Sequence, residues 1–133
     1  MLDLAAGSGE VTLALHSSAQ AIAAIDPFTA VAYEGRTGRA CEKMTFEAIA
    51  AGGLQGRRYS LIVCSFAMHL VEPSRLPTLC WALAEVTGQL LILTPHKRPD
   101  LEPAWGWGLT HERLLDRVRA RLYAVQPAAK GLS

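Results

Sequence analysis

Long apolar runs are missing from this 133-residue chain: there is no stretch of about 18 apolar residues, and no basic flank precedes the apolar N-terminus. Neither a membrane span nor a signal peptide is supported. Cysteine is scarce. Cys41, Cys64 and Cys80 are an odd number without CxxC spacing, which fits reduced thiols in a cytoplasmic protein. The four histidines (His16, His69, His96, His111) form no HxxxH or HxH pair, so no metal site is expected. Charge of one sign is not in excess either. With 13 basic and 12 acidic residues the formal net charge is +1, which gives no electrostatic case for nucleic-acid binding. No GxxxxGK[ST] occurs, which argues against a nucleoside triphosphatase.

What is present is an alternation of short apolar runs and helical patterns, half of the residues being apolar. The length suits one domain, 1–126, followed by a tail at 127–133. Strands are expected at Leu2–Ala6, Ala21–Ile25, Cys41–Thr45 (an edge strand), Tyr59–Phe66 and Leu90–Thr94. Helices are expected at Glu10–Ser17, Thr29–Arg36 and Phe46–Ala51, the last closed by Gly52 and Gly53. Another should run from a Ser74 cap to about Val86. Alternation of this kind predicts an α/β fold: a Rossmann-like, doubly wound, mostly parallel sheet. Its strand order would be 3-2-1-4-5 in chain order, with an extra edge strand possible. The stretch 96–109 reads as a loop. Residues 111–125 fit either a helix or a strand, and a short helix at 111–116 followed by a strand is favoured. The expected row Arg117, Arg119, Arg121 is then the wet face of an edge strand.

The chemistry concentrates at the start. LDLAAGSGE places Asp3 in the first strand, then a turn with Gly7 and Gly9. Glycine lets backbone approach a ligand, and free N–H groups there suit a carboxylate or phosphate. The plainer reading is a tight strand-to-helix turn. Asp26, after the second strand, can accept the hydroxyls of a ribose, or can simply cap a turn. A nicotinamide fingerprint would need a third glycine where Thr12 stands.

With these residues in view, the chain resembles the class I S-adenosylmethionine-dependent methyltransferases, in their small-molecule branch and N-terminally truncated. The likeness runs through LDLAAGSGE, AAIDP, EKMTF, YSLIVCSFAMHLVEP and LLILTP, over roughly residues 1 to 95. It implies S-adenosylmethionine as cofactor. Asp3 would sit near the methionine amino group, and Ala5, Gly7 and Gly9 would form the turn beneath it. Asp26 would hold the ribose, with Pro27 and Phe28 flanking the adenine. Thr45 and Phe46 would lie at the adenine edge, and Ser65 and Phe66 would face the sulfonium. Ala5 departs from the family's usual glycine, and the family's last antiparallel hairpin is at best half present.

The acceptor would lie near Ser65–His69, where the [ND]PP[YF] sequence used for base amino groups is absent. A small-molecule acceptor and His69 as base follow from the resemblance, against the plain alternative of a packed histidine. His96, Lys97 and Arg98 could attract an anionic acceptor or be a solvated loop. Trp105 and Trp107 could lid the pocket or cover the core. Competing functions are methylation of RNA or protein, and a non-catalytic cofactor-binding subunit with a partner chain or as a homodimer.

Overall fold

The computed structural model describes residues 1–15 and 21–126. The expected tail at 127–133 and the end of the first helix toward Ser17 lie outside these residues. Ten elements alternate along the chain: β1 (Leu2–Leu4), α1 (Glu10–Leu15), β2 (Ala23–Ile25), α2 (Ala30–Thr37), α3 (Phe46–Ala50), β3 (Ile62–Ser65), α4 (Leu76–Ala84), β4 (Gln89–Thr94), β5 (Trp107–Leu115) and β6 (Val118–Val125). They build one six-stranded sheet in the order β2-β1-β3-β4-β6-β5. The first four strands are parallel, and β6 joins β4 and β5 antiparallel.

The pleat sorts residues between the two faces. Leu2, Leu4, Ile62, Cys64, Leu90 and Ile92 meet Ile49 of α3 and Leu79, Cys80 and Leu83 of α4 in the main core. On the other face, Asp3 meets Thr12 of α1, which in turn meets Tyr33 of α2. Short buried strands at β1 and β3 follow from the continuous apolar runs, since strands covered on both sides need no polar alternation.

The sequence reading needs five corrections here. Cys41–Thr45 is not a strand; it contributes a single parallel bridge, Ile25↔Glu42, so the expected order 3-2-1-4-5 lacks its outermost member as a full strand. Arg57 holds this segment instead, through two bonds to Glu42, one of 3.0 Å. The expected helix at 111–116 is strand, part of β5. The two-residue turn explains why: Asp116 and Arg117 both take positive φ (49° and 66°), the geometry that matches the twist of a hairpin. The last antiparallel hairpin is therefore complete rather than half present. Arg121 is not on a wet face. It is 5% exposed on an interior strand, and β5 is the edge. Finally, Ser74 makes no cap; a 3-10 turn at Pro73–Arg75 precedes α4.

Trp107 settles the choice between lid and core. It is fully buried, and its indole N–H donates to the Cys80 carbonyl at 2.9 Å.

Candidate functional site

The C-terminal ends of β1, β2 and β3 open onto a cleft of about 590 Å³. In parallel α/β sheets this edge collects loops and helix starts, which is why ligands bind there. The structure brings nine expected residues together on its walls: Ala5, Gly7, Asp26, Pro27, Phe28, Thr45, Phe46, Ser65 and Phe66. Thr45 is placed by its role at the start of α3, where its hydroxyl accepts the Ala48 N–H. Ala5 and Phe66 both hold φ of 56°, a left-handed backbone that side chains with a Cβ adopt at a cost of about 1–2 kcal/mol. Two such residues at adjacent strand tips mark the spot where the backbone is bent to shape the cleft.

Three expected residues do not line it. Asp3 lies behind the wall, 1% exposed. Gly9 packs against α2: a Cβ there would come within 3.2 Å of the Tyr33 ring and closer to the Thr37 methyl. Its glycine serves helix packing. His69 is exposed in the 3-10 turn Met68–Leu70, with its ring 4.5 Å from that of His96.

The glycine turn departs from an anion cradle. The Gly7 N–H donates to Asp26 Oδ2 at 3.1 Å, and the Gly9 N–H to the Ala6 carbonyl at 3.0 Å. Both donors are spent within the protein. Asp26 Oδ1 also accepts the N–H groups of Phe28 (2.8 Å) and Thr29 (2.9 Å), while the Thr29 hydroxyl donates to the Gly7 carbonyl at 2.8 Å. The two loops are thus braced to each other. Burial pushes the Asp26 carboxyl up, but these N–H groups outweigh it and hold it below the usual carboxylate range. A carboxylate has about four acceptor positions, and these three N–H groups take one on Oδ2 and two on Oδ1.

Asp3 is the opposite case. The Thr12 hydroxyl donates to its Oδ2 at 2.8 Å, which obliges the Tyr33 hydroxyl to donate to Thr12 in turn. Oδ1 has no partner. Burial dominates and lifts the Asp3 carboxyl to about 6.

Sequence reasoning missed Glu10, Met44, Glu47, Ile49 and Leu70 on the cleft walls. Met44 and Glu47 immediately flank Thr45 and Phe46, so the start of α3 was the available signal. With Glu10, Asp26 and Glu47, the cleft presents three carboxylates, and no Lys, Arg or His lines it among the described residues. Such a site suits a cationic, partly apolar ligand. No group of three or more His, Cys, Asp or Glu among the described residues is placed to hold a metal ion, and no helix there is long and apolar enough to cross a membrane.

No family model matches the chain. It is 34% identical to the uncharacterized protein C17A5.05c of Schizosaccharomyces pombe, with 92% of this chain and 70% of that protein covered. Among solved structures it is similar to the magnesium protoporphyrin IX methyltransferase ChlM of Synechocystis, solved with bound S-adenosylmethionine (TM-score 0.73, 11% identity, 94% of this chain and 69% of that one). It is also similar to the ribosomal protein L11 methylase of Lactobacillus delbrueckii (TM-score 0.70, 18% identity, 94% and 69%). The sheet order, the cleft and these likenesses agree: the chain belongs to the family of the fission-yeast protein, and its fold is that of the class I S-adenosylmethionine-dependent methyltransferases.

Proposed function

We propose that this protein is a methyltransferase that binds S-adenosylmethionine in the cleft and passes its methyl group to a small molecule. The observation that carries the reading is the cleft's charge. Three carboxylates, of which Arg36 pairs only Glu10, leave the cleft net negative; that charge would attract a sulfonium and an ammonium, and would repel the pyrophosphate of a nicotinamide cofactor. The two glycines agree, because the Gly7 and Gly9 N–H groups are already bound to Asp26 and Ala6. Phe28, 90% exposed at the rim, would lie against the adenine, and Asp26, whose Oδ2 carries the Gly7 N–H, would take a ribose hydroxyl.

In the reaction the acceptor's nucleophilic atom bonds to the methyl carbon as the carbon–sulfur bond breaks, and the electron pair goes to sulfur. The chain's part is alignment and exclusion of water by Phe46, Phe66 and Leu70. A proton lost by the acceptor would pass to His69, beside the cleft-lining Leu70. A cytoplasmic, reducing setting goes with this reading, since all three cysteines are free thiols.

Calorimetric titration with S-adenosylmethionine, S-adenosylhomocysteine and NAD tests the cofactor. Both sulfur ligands should bind at micromolar concentrations and NAD should not. Tighter binding of NAD would overturn the reading. With an acceptor in hand, His69→Ala should lose turnover and keep cofactor affinity.

A further inference from the structure

We propose that the methyl acceptor carries an anionic group, carboxylate or phosphate, received by His69, His96, Lys97 and Arg98 at the tips of β3 and β4; this rests on the methyltransferase reading above. The first observation is convergence. His69 follows β3 and His96 follows β4, 27 positions apart in sequence, yet their rings stand 4.5 Å apart. Leu70, next to His69, lines the cofactor cleft, so the pair sits on its border.

The second observation is that the loop after β4 is held in place. The His96 N–H donates to the hydroxyl of buried Thr94 at 3.1 Å. The buried Arg121 guanidinium donates to the Lys97 carbonyl at 2.6 Å and the Pro99 carbonyl at 3.2 Å. It also pairs with Asp100 at 2.7 Å. A buried charge needs several partners, and this one finds them in the loop's own backbone. Arg121 thereby engages the carboxylate of Asp100. Lys97 and Arg98 stay exposed, and neither forms an ion pair among the described residues.

The third observation is the contrast along one sheet edge. The cofactor end carries Glu10, Asp26 and Glu47, of which Glu10 is paired with Arg36 at 3.5 Å; the neighbouring β3–β4 end carries the exposed cations Lys97 and Arg98 beside His69 and His96. A cationic cofactor and an anionic acceptor would each meet the opposite charge, and neither would bind well in the other's place. Four side chains gathered on two neighbouring loops suit one anionic group better than the spaced phosphates of a polymer.

The test is NMR titration of the full chain with inorganic phosphate at constant ionic strength. The ring signals of His69 and His96 and the amides of 96–98 should shift saturably, with millimolar affinity. Lys97→Ala/Arg98→Ala, which alters only exposed side chains, should weaken binding about tenfold or more, as expected for lost charge-assisted contacts. Arg113→Ala, on the outer edge of β5, should change nothing, and calorimetric affinity for S-adenosylmethionine should hold in all variants. Absence of saturable shifts, or equal binding by the double variant, overturns the proposal. So does single-stranded RNA binding at these residues with a steep salt dependence and far higher affinity than phosphate. Phosphate binding without S-adenosylmethionine binding would keep the anion site and remove the function it was placed in.

Discussion

Replacing Asp3 by Asn should make the protein more stable and a poorer binder of S-adenosylmethionine. The carboxyl is buried, has one oxygen without a partner, and is lifted from 3.8 to about 6. It therefore holds its proton more tightly folded than unfolded. Stability from this group is fully present below about pH 4, falls as pH rises toward 6, and is lost above it. The rise in pKa corresponds to about 3 kcal/mol at pH 7.5. Asn removes the charge and can still accept from Thr12, but its amide N–H groups stand where Oδ1 had no partner, at a cost of about 1–2 kcal/mol. The net gain should be about 1–2 kcal/mol at pH 7.5, a rise in Tm of several degrees for a domain of this size. At pH 4 the folded carboxyl is already protonated and only the amide's cost remains, so the variant should be about 1–2 kcal/mol less stable there. Denaturant unfolding at the two pH values reads the difference directly. An Asn variant that is no more stable at pH 7.5, or gains equally at both pH values, would refute the argument. Cofactor affinity should fall about tenfold, since the negative potential behind the ammonium is gone.

Asp26→Ala leaves three backbone N–H groups without an acceptor and should cost about 2–3 kcal/mol in chemical denaturation, with cofactor binding lost in calorimetry. Trp107→Phe removes the indole hydrogen bond to the Cys80 carbonyl, which keeps its helical partner inside α4, and should cost about 0.5–1.5 kcal/mol; Trp107→Ala, which also empties a core position, should cost about 3–5 kcal/mol by the same assay. Exchanging Asp116-Arg117 for Asn-Gly should stabilise the hairpin by about 0.5–1 kcal/mol, because both positions have positive φ. Arg121→Met should speed hydrogen exchange across residues 96–101 more than in β1 or β3.

The parallel half of the sheet was legible because fully buried strands write themselves as continuous apolar runs, as in Ile62–Ser65. Seven of the nine expected cleft residues stand at or just after the ends of β1, β2 and β3, where chain position fixes place; Thr45 and Phe46 come instead from the start of α3. The hairpin was not. The run from His111 to Leu115 has apolar residues at its end and charges in its middle, since β5 is an exposed edge with no pleat to advertise. Its turn carries neither Asn-Gly nor Asp-Gly, so the usual hairpin signal is missing. Gly9 and Arg121 misled for a related reason. A glycine required by the Tyr33 ring looks the same in sequence as one required by a ligand, and an arginine buried under a loop looks like one in water. What separates them is a partner distant in sequence: Tyr33 for one, Lys97 and Asp100 for the other.

The uneven charge of the cleft bears on what happens after the reaction. Transfer of the methyl group turns a sulfonium into a neutral thioether. On the proposed reading, Glu10, Asp26 and Glu47 would then face a spent molecule that has lost one of the charges that drew it there. Each turnover would weaken the hold on the product without any movement of the protein, and fresh cofactor would displace it. A high concentration of salt, by screening the same carboxylates, should narrow the difference between the two ligands.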